Sequence, residues 1–438
     1  MQNYFNELSQ KTFQLLASNE VLLLNYAGEE SDFVRFNHNK IRQAGFVQQQ
    51  DLGLNLILAQ KQISASLQLQ GNLDDDLTQI KGLLKTLREQ IQYLPDDPYI
   101  NYSTDINNTE TLANNPLPQA NSVIDDVVAT TESLDLVGIW ASGSMARGFA
   151  NSLGQFNWHT NQNFNFDWSI YHRDDKAIKQ NYAGFHWELE NFQKKIAFAR
   201  ETLDILHKPA ISIKPGAYRV FLTPSALEEL VGMMNWGGFS LKSHKTAQTP
   251  LIKMISENKT LHPDINLIEN NREGLAAPFT SAGFLKPDTV SLITNGKYAD
   301  CLVSPRSGKE YAQAVNCSVE SAQSLQLDGG KLHQDQILQQ LDTGVFISNL
   351  WYCNFSDRNA CRITGMTRFA CLWVEDGKPV APLNVMRFDE SIYHILGDKL
   401  VDLTHEQDHL LATGTYHQRS QACARLPGAL VNDFRFTL

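Results

Sequence analysis

The string His405-Glu406-Gln407-Asp408-His409 has H-E-x-x-H spacing. On a helix such spacing lets two imidazoles hold zinc while the glutamate acts as general base on the metal-bound water. The chemistry needs a helix, where residues i and i+4 project together. Here the string follows Gly397 and an alternating stretch at 399–404, and Thr413-Gly414-Thr415 comes soon after. The pattern predicts a strand, on which the two rings share a face about 13 Å apart, too far for one ion. Cys423 follows downstream, and a lone cysteine without histidines is not a zinc site. The densest polar and aromatic run is different: Trp351, Tyr352, Asn354, Ser356, Asp357, Arg358, Arg362, Thr364, Thr367 and Arg368, woven between Phe355, Met366 and Phe369. Alternation puts several of these on one sheet face, where they could line a binding channel. Asp357–Arg358 and Arg362 equally suit pairing that locks a turn. Both readings stay open.

These residues must be positioned by a chain of 438 residues, for which two or three packed units are the natural expectation. Hydrophobic residues make up 42% and charged residues 19%, as suits a globular protein. The formal net charge of -11, with no basic stripe, argues against a nucleic-acid partner, because phosphate-backbone binding needs a basic face. The N-terminus, MQNYFNELSQKTFQLLASNEVLLLNY, lacks a basic region followed by an apolar block, so a helix and strand are expected there rather than a signal peptide. No run approaches the roughly 18 apolar residues of a membrane span. The expected location is cytoplasmic. The six cysteines, Cys301, Cys317, Cys353, Cys361, Cys371 and Cys423, include no C-x-x-C pair and read as reduced, mostly buried thiols.

Apolar periodicity predicts a helix over 3–18, a strand at 21–26, and a meander of strands at 32–36, 43–50, 52–59 and 63–70. A long amphipathic helix is expected over 74–94, closed by Pro95. Residues 96–120 read as a loop. Ser122 is a candidate N-cap for a helix reaching about 133, and a buried strand follows at 134–141. Phe156, Trp158, Phe164, Phe166, Trp168 and Tyr171 suggest a hairpin or meander over 155–187, before a helix at 188–207. From Pro215 the texture changes to short strands with turns at Asn295-Gly296, Asp328-Gly329 and Asp376-Gly377. One clear helix interrupts them near 225–234. The fold class is therefore α+β: an N-terminal region, 1–211, of helices on antiparallel sheet, and a mainly β C-terminal domain, 212–438.

Residues 344–388, GVFISNLWYCNFSDRNACRITGMTRFACLWVEDGKPVAPLNVMRF, resemble the TldD/PmbA family, whose C-terminal domain carries a stretch much like LWY-N-SDR---R-TGMTR----W-EDGK-V-P---MRF. Three other parts are similar to that family. They are Ser31 to Phe36 with Lys40-Ile41-Arg42; Gly143-Ser144 through Arg147 with Asn151 to Gly154; and Thr413 to Tyr416 with Arg419-Ser420, Pro427-Gly428 and Asp433-Phe434. The likeness runs over nearly the whole chain. It implies an α+β N-terminal region before a mostly β C-terminal domain. It also implies cleavage of unfolded or small peptides in a closed dimeric chamber, with the peptide bound as an added strand.

In the family's active branch, an H-E-x-x-x-H helix and a C-terminal cysteine hold zinc. The matching helix here, 225–236, has glutamates Glu228 and Glu229 and no histidine; it offers Val231, Gly232 and Trp236 where ligands and base are expected. The nearest histidine, His244, lies past a Gly-Gly break. The resemblance thus implies a PmbA/TldE-like member that is inactive alone. It would bind no metal in this chain, the zinc belonging to a catalytic partner. It implies a non-catalytic, peptide-handling subunit of a TldD/TldE-type metalloprotease, paired with a TldD-like H-E-x-x-x-H subunit or with itself. Trp351, Tyr352, Asn354, Arg358, Arg362, Thr364, Thr367 and Arg368 are the candidate substrate-binding residues. Two alternatives stay open: a peptidase with a non-standard metal site at His405, His409 and Cys423, and a stand-alone peptide-binding or assembly protein.

Overall fold

The computed structural model describes residues 1–173 and 176–437, without the side chain of Arg173. The first sheet has seven strands: β1 (Glu20–Asn37), β2 (Lys40–Leu58), β3 (Lys61–Gln68), β4 (Thr109–Thr111), β5 (Asp135–Asn151), β6 (Phe156–Arg173) and β7 (Lys176–Gly184). Their order is β3-β2-β1-β5-β6-β4, with β7 also paired to β6. Apart from the short parallel β4, every pairing is antiparallel. Residues 174–175, between β6 and β7, lie outside the described residues.

The strands are longer than the sequence pattern suggests. The expected strands at 21–26 and 32–36 are one strand, β1, and 43–50 and 52–59 are one strand, β2. Between the two segments of β1, Glu29 and Ser31 are buried and bonded to the Gln49 and Arg419 side of the molecule. A covered polar face does not interrupt a ladder when its groups find partners.

Helix α1 (Gln2–Phe13) and α2 (Leu73–Ile91) pack on one face of this sheet through Phe5, Leu8, Ile80, Leu84 and Leu87. The Asn72 side chain caps α2 by accepting from the Asp74 and Asp75 amides, and three aspartates favour its positive end. Helix α3 (Ala120–Thr130) starts before the expected N-cap, so Ser122 lies inside it. Helix α4 (Leu189–Leu206) covers the aromatic face of β6, where Phe164, Phe166 and Trp168 are fully buried. Burying each such ring is worth roughly 2–3 kcal/mol.

The second sheet has thirteen strands. They are β8 (Gly216–Leu222), β9 (Leu267–Asn270), β10 (Thr289–Thr294), β11 (Lys297–Tyr298), β12 (Ser324–Leu327), β13 (Gly344–Ile347), β14 (Asn349–Asp357), β15 (Arg362–Arg368), β16 (Leu372–Glu375), β17 (Lys378–Pro382), β18 (Arg387–Ser391), β19 (Leu400–Leu411) and β20 (Cys423–Phe436). The central path runs β11-β10-β9-β12-β20-β8-β13-β16-β17. Strands β18 and β19 also pair with β20, and β15 joins β14 to β18.

Asn295-Gly296 and Asp376-Gly377 make hairpins as expected, but Asp328-Gly329 does not. After Asp328 the chain runs beside β19, with the Gly330 amide donating to the Thr404 carbonyl at 2.9 Å. A side chain on Gly330 would meet the Leu403 carbonyl at 2.4 Å, so this glycine serves close approach. Helix α5 (Pro224–Asn235) has Thr223 as N-cap and Pro224 in its first turn. Shorter helices at Leu241–Lys245, Ile252–Ser256, Pro305–Tyr311 and Ile337–Leu341 were not expected from the sequence.

The two sheets share a core. Val34, Phe36, Phe164, Phe166 and Trp168 cluster with Phe221, Phe346, Leu372 and Leu430. Among the described residues, no helix is long and apolar enough to cross a membrane.

Candidate functional site

Helix α5 starts where the two sheets meet. Thr223, Pro224 and Ser225 border a cavity of about 470 Å3, whose other walls include Lys179, Phe198, Phe346 and Asp408. Lys179 is ion-paired with Asp167 of β6. Burial, and then the Glu229 and Asp167 carboxylates, push the Glu228 carboxyl up to about 7. The helix therefore meets the cavity with its first turn. Val231 is 1% exposed in the hydrophobic core, and Trp236 lies past the helix end, its ring tilted against Phe355.

Helix α5 carries two carboxylates and no histidine or cysteine. That donor set does not fit a zinc site built from two imidazoles and a thiolate. His244, just beyond it, is engaged by the Gly238 carbonyl and the Tyr298 hydroxyl. Among the described residues, no three His, Cys, Asp or Glu side chains gather closely enough to hold a metal.

The 405–409 string lies in β19, as its alternation predicts. A bulge between Leu403 and Gln407 breaks the ladder around His405. The two imidazoles have separate surroundings: His405 meets His333 edge-on at 5.3 Å, and His409 lies 5.6 Å from Phe185. His409 and Cys423 both border one small cavity. Burial, and then Arg425, pull His409 down to about 4, while burial raises the Cys423 thiol. Both groups are neutral at pH 7, which is the opposite of an activated thiolate–imidazolium pair.

The run at 351–368 forms the β14–β15 hairpin, and its alternation is broken. Bulges fall between Trp351 and Asn354 and between Phe355 and Asp357. Tyr352 has φ +53°, in the left-handed region, and stacks on Trp351 at 4.1 Å between centroids. Trp351 and Tyr352 are 40% and 64% exposed. The Arg368 guanidinium lies 3.3 Å from the centre of the Trp351 ring. Asn354 is exposed as well, its Oδ1 accepting from the Phe355 amide.

The other members of the set are held by protein. Arg358 donates to the Gln248 and Trp236 carbonyls, at 2.9 and 2.8 Å, and lies over Phe355 and Trp236. Arg362 pairs with Asp389 at 3.3 Å, and the Thr364 hydroxyl donates to the Phe388 carbonyl. Thr367 is buried and accepts from the Met386 amide. Asp357 does not pair with Arg358; it accepts from the Ala360 amide and closes the turn. The hairpin thus divides into holding residues and an outward group of Trp351, Tyr352, Asn354 and Arg368. Strand β14 pairs only with β15 among the described residues, so its outer edge is open.

Sequence reading misses a second polar region. On β6, Asn157, His159, Asn161, Asn163 and Asn165 alternate with the residues of the opposite face, and all five are buried. Asn157 bonds to Asn107 and Thr109, and the rest face the C-terminal half: Asn161 and His159 reach the Leu275 carbonyl, Asn163 holds the buried Arg419, and Asn165 donates to the Leu411 carbonyl. The period-2 run of asparagines was the available signal. Its meaning depended on what covers that face.

Comparison with known proteins agrees with this architecture. The family model described as the PmbA/TldA metallopeptidase C-terminal domain matches residues 215–438. No curated protein matches the chain. Among solved structures, TldE from Thermococcus kodakarensis is similar at 14% identity and a TM-score of 0.76, with 99% of this chain and 100% of that one covered. A protein proposed as a modulator of a DNA gyrase, from Thermotoga maritima, is similar at 13% identity and a TM-score of 0.75, again over 99% and 100%. A further protein proposed as a modulator of DNA gyrase, from Bacteroides thetaiotaomicron, is similar at 14% and 0.73, over 99% and 98%. At such identities the likeness speaks for the fold, and the family model for membership. The chain belongs to the PmbA/TldD metallopeptidase family.

Proposed function

We propose that this chain is a non-catalytic, peptide-handling subunit of a TldD/TldE-type metalloprotease that acts on unfolded or small peptides. The observation that carries the reading is the donor set of helix α5: Glu228 and Glu229, with no imidazole or thiolate on the helix. Hydrolysis by the family's route needs a metal to lower the pKa of water, and these residues do not suit zinc. A TldD-like subunit with an H-E-x-x-x-H helix would supply that metal, and a self-dimer would bind peptide without cutting it. The open edge of β14 and its outward Trp351, Tyr352, Asn354 and Arg368 suit an extended peptide, which main-chain pairing holds with little sequence preference. Arg358, Arg362, Thr364 and Thr367 would support that surface from behind. In this reading the chain works in the cytoplasm as two units joined near residue 212.

The test is an assay of the metal-loaded full chain, alone and mixed with an H-E-x-x-x-H homologue, against unfolded peptides. The chain alone is expected to cleave nothing, and the mixture to show chelator-sensitive cleavage. Chelator-sensitive cleavage by the chain alone, abolished by His405→Ala or Cys423→Ala, would refute the proposal.

A further inference from the structure

A cavity of about 300 Å3 lies between the first sheet and the 276–286 segment, remote in sequence from both α5 and the β14–β15 hairpin. Arg147 of β5 enters it from the sheet, and Lys286 enters it from the covering segment. That segment is firmly held. Its Thr280–Phe284 turn hydrogen-bonds across itself, with Gly283 at φ +84°. The Asn25 side chain donates to the Ser281 carbonyl and Gln155 to the Gly283 carbonyl. Ala277 and Phe279 pack on Leu23, Ile57 and Phe149. The space is therefore formed before any ligand arrives.

Its cations feel nearby carboxylates but make no direct ion pair among the described residues. Lys286 is 9% exposed, and its ammonium has one modest bond, to Gln323 Oε1 at 3.3 Å. The Arg147 guanidinium donates to the adjacent Ala146 carbonyl. Among the described residues, neither cation has a carboxylate within ion-pair distance. The nearby carboxylates are engaged elsewhere: Glu29 by Gln49 and the Arg419 amide, Asp51 by Gln418, and Glu269 by the Gln323 and Ser324 amides. One Glu29 oxygen remains unpartnered, so an Arg147 turned toward it is the competing arrangement. Gln421 borders the same cavity with a buried Nε2 that has no acceptor. His159, opposite Arg147 across the ladder, is pulled down first by burial and further by both cations. A buried lysine, a half-buried arginine and an orphaned donor around one space are costly unless an anion completes them.

We infer that this cavity is a binding site for a small carboxylate, held by Arg147 and Lys286 with Gln421 as a third donor. A two-oxygen, singly charged group matches a guanidinium fork and an ammonium. Glu29, Asp51 and Glu269 stand close enough to oppose a dianion such as phosphate. Phe279 and Ala277 on the wall accept a short apolar body, and the volume suits a ligand of dipeptide size. Taking the carboxylate to be a peptide's C-terminus rests on the peptide-handling reading above.

Calorimetric titration of the full chain with N-acetyl-alanyl-alanine, its C-terminal amide and inorganic phosphate tests the site. The acid is expected to bind at least about tenfold more tightly than the amide, and Lys286→Met or Arg147→Gln to weaken the acid by about tenfold or more. The acid-against-amide comparison needs no variant, so it decides even if a substitution harms folding. Equal binding of acid and amide, no binding of either, or wild-type affinity in Lys286→Met would overturn the inference. Phosphate binding more tightly than the acid would overturn the carboxylate assignment. Equal binding of acid and amide together with capture of unfolded peptides at the β14 edge would overturn the site and leave the peptide-handling reading standing.

Discussion

The β14–β15 hairpin and the cavity under the first sheet treat positive charge in opposite ways. In the hairpin each arginine has a fixed partner: Arg358 has two carbonyls and two rings, Arg362 has Asp389, and Arg368 has Trp351. In the cavity, Arg147 and Lys286 have only a backbone carbonyl and one glutamine oxygen. The hairpin is complete in itself and offers outward aromatic surface. The cavity is held rigid by its neighbours but electrostatically incomplete. Removing a cation should therefore hurt folding in the first region and ligand binding in the second.

The largest stability effect is expected at Arg358. Its guanidinium ties the hairpin turn to the end of α5 and to residue 248 through two hydrogen bonds, with two rings beneath it. Charge-assisted bonds contribute about 1.5–3 kcal/mol each when well formed, and partial exposure reduces this. Arg358→Ala should cost about 3 kcal/mol, read as a lower denaturant midpoint at unchanged slope. A cost below about 0.5 kcal/mol would erase the contrast from the hairpin side.

Glu228 sharpens the comparison, because it is a half-buried acid on α5 whose carboxyl, among the described residues, has no cation partner to hold it charged. Its carboxyl is raised from 4.5 to about 7, chiefly by burial. Between those values the folded chain keeps a proton that the unfolded chain has lost. The wild type thus loses stability as pH rises from about 4.5 through 7, by about 2 kcal/mol. Glu228→Gln cannot ionise and should escape that loss. It should match the wild type near pH 4.5 and exceed it by about 2 kcal/mol at pH 8. Parallel stability curves for the two proteins would mean that Glu228 is solvated in solution.

What was legible in the sequence follows the same division. The hairpin's residues lie close together in the chain, so their chemistry and family likeness could be read directly, although the bulge that exposes Trp351 and Tyr352 together could not. Helix α5 was legible as the one clear helix near 225–234, and the Thr223 cap with Pro224 in the first turn shows the local signal that starts it. Strands β1 and β2 were each expected as two shorter strands; in β1 the gap holds the polar Glu29 and Ser31, and only tertiary cover explains their burial. Arg147, Lys286 and Gln421 come from three distant segments. No local pattern joins them, and an alternating polar strand face looks the same in sequence whether water or protein covers it.

The smallest effect expected is that of Lys286→Met without ligand, and its sign carries the most information. Methionine keeps much of the stem's volume and adds no polar atom, so packing should change little. The substitution removes a buried charge, which favours the variant. It also removes a weak bond to Gln323 and the distant attraction of Glu269, which favours the wild type. The net difference should stay within about 1 kcal/mol. Burial lowers the Lys286 pKa below 10.5, with Glu269 opposing. The folded chain therefore releases this proton before the unfolded chain does, and wild-type stability gains as pH rises from the folded value toward 10.5. Any advantage of the variant should accordingly be greatest at neutral pH and shrink by pH 10. Saturating carboxylate should then reverse the order, because ligand at about one hundred times the wild-type Kd stabilises the wild type by about 2.7 kcal/mol and a tenfold weaker variant by only about 1.4 kcal/mol. Denaturation of both proteins with and without N-acetyl-alanyl-alanine measures each step. A loss above about 2 kcal/mol in the ligand-free variant would make Lys286 a structural partner of Glu269, and the two regions would then handle charge alike.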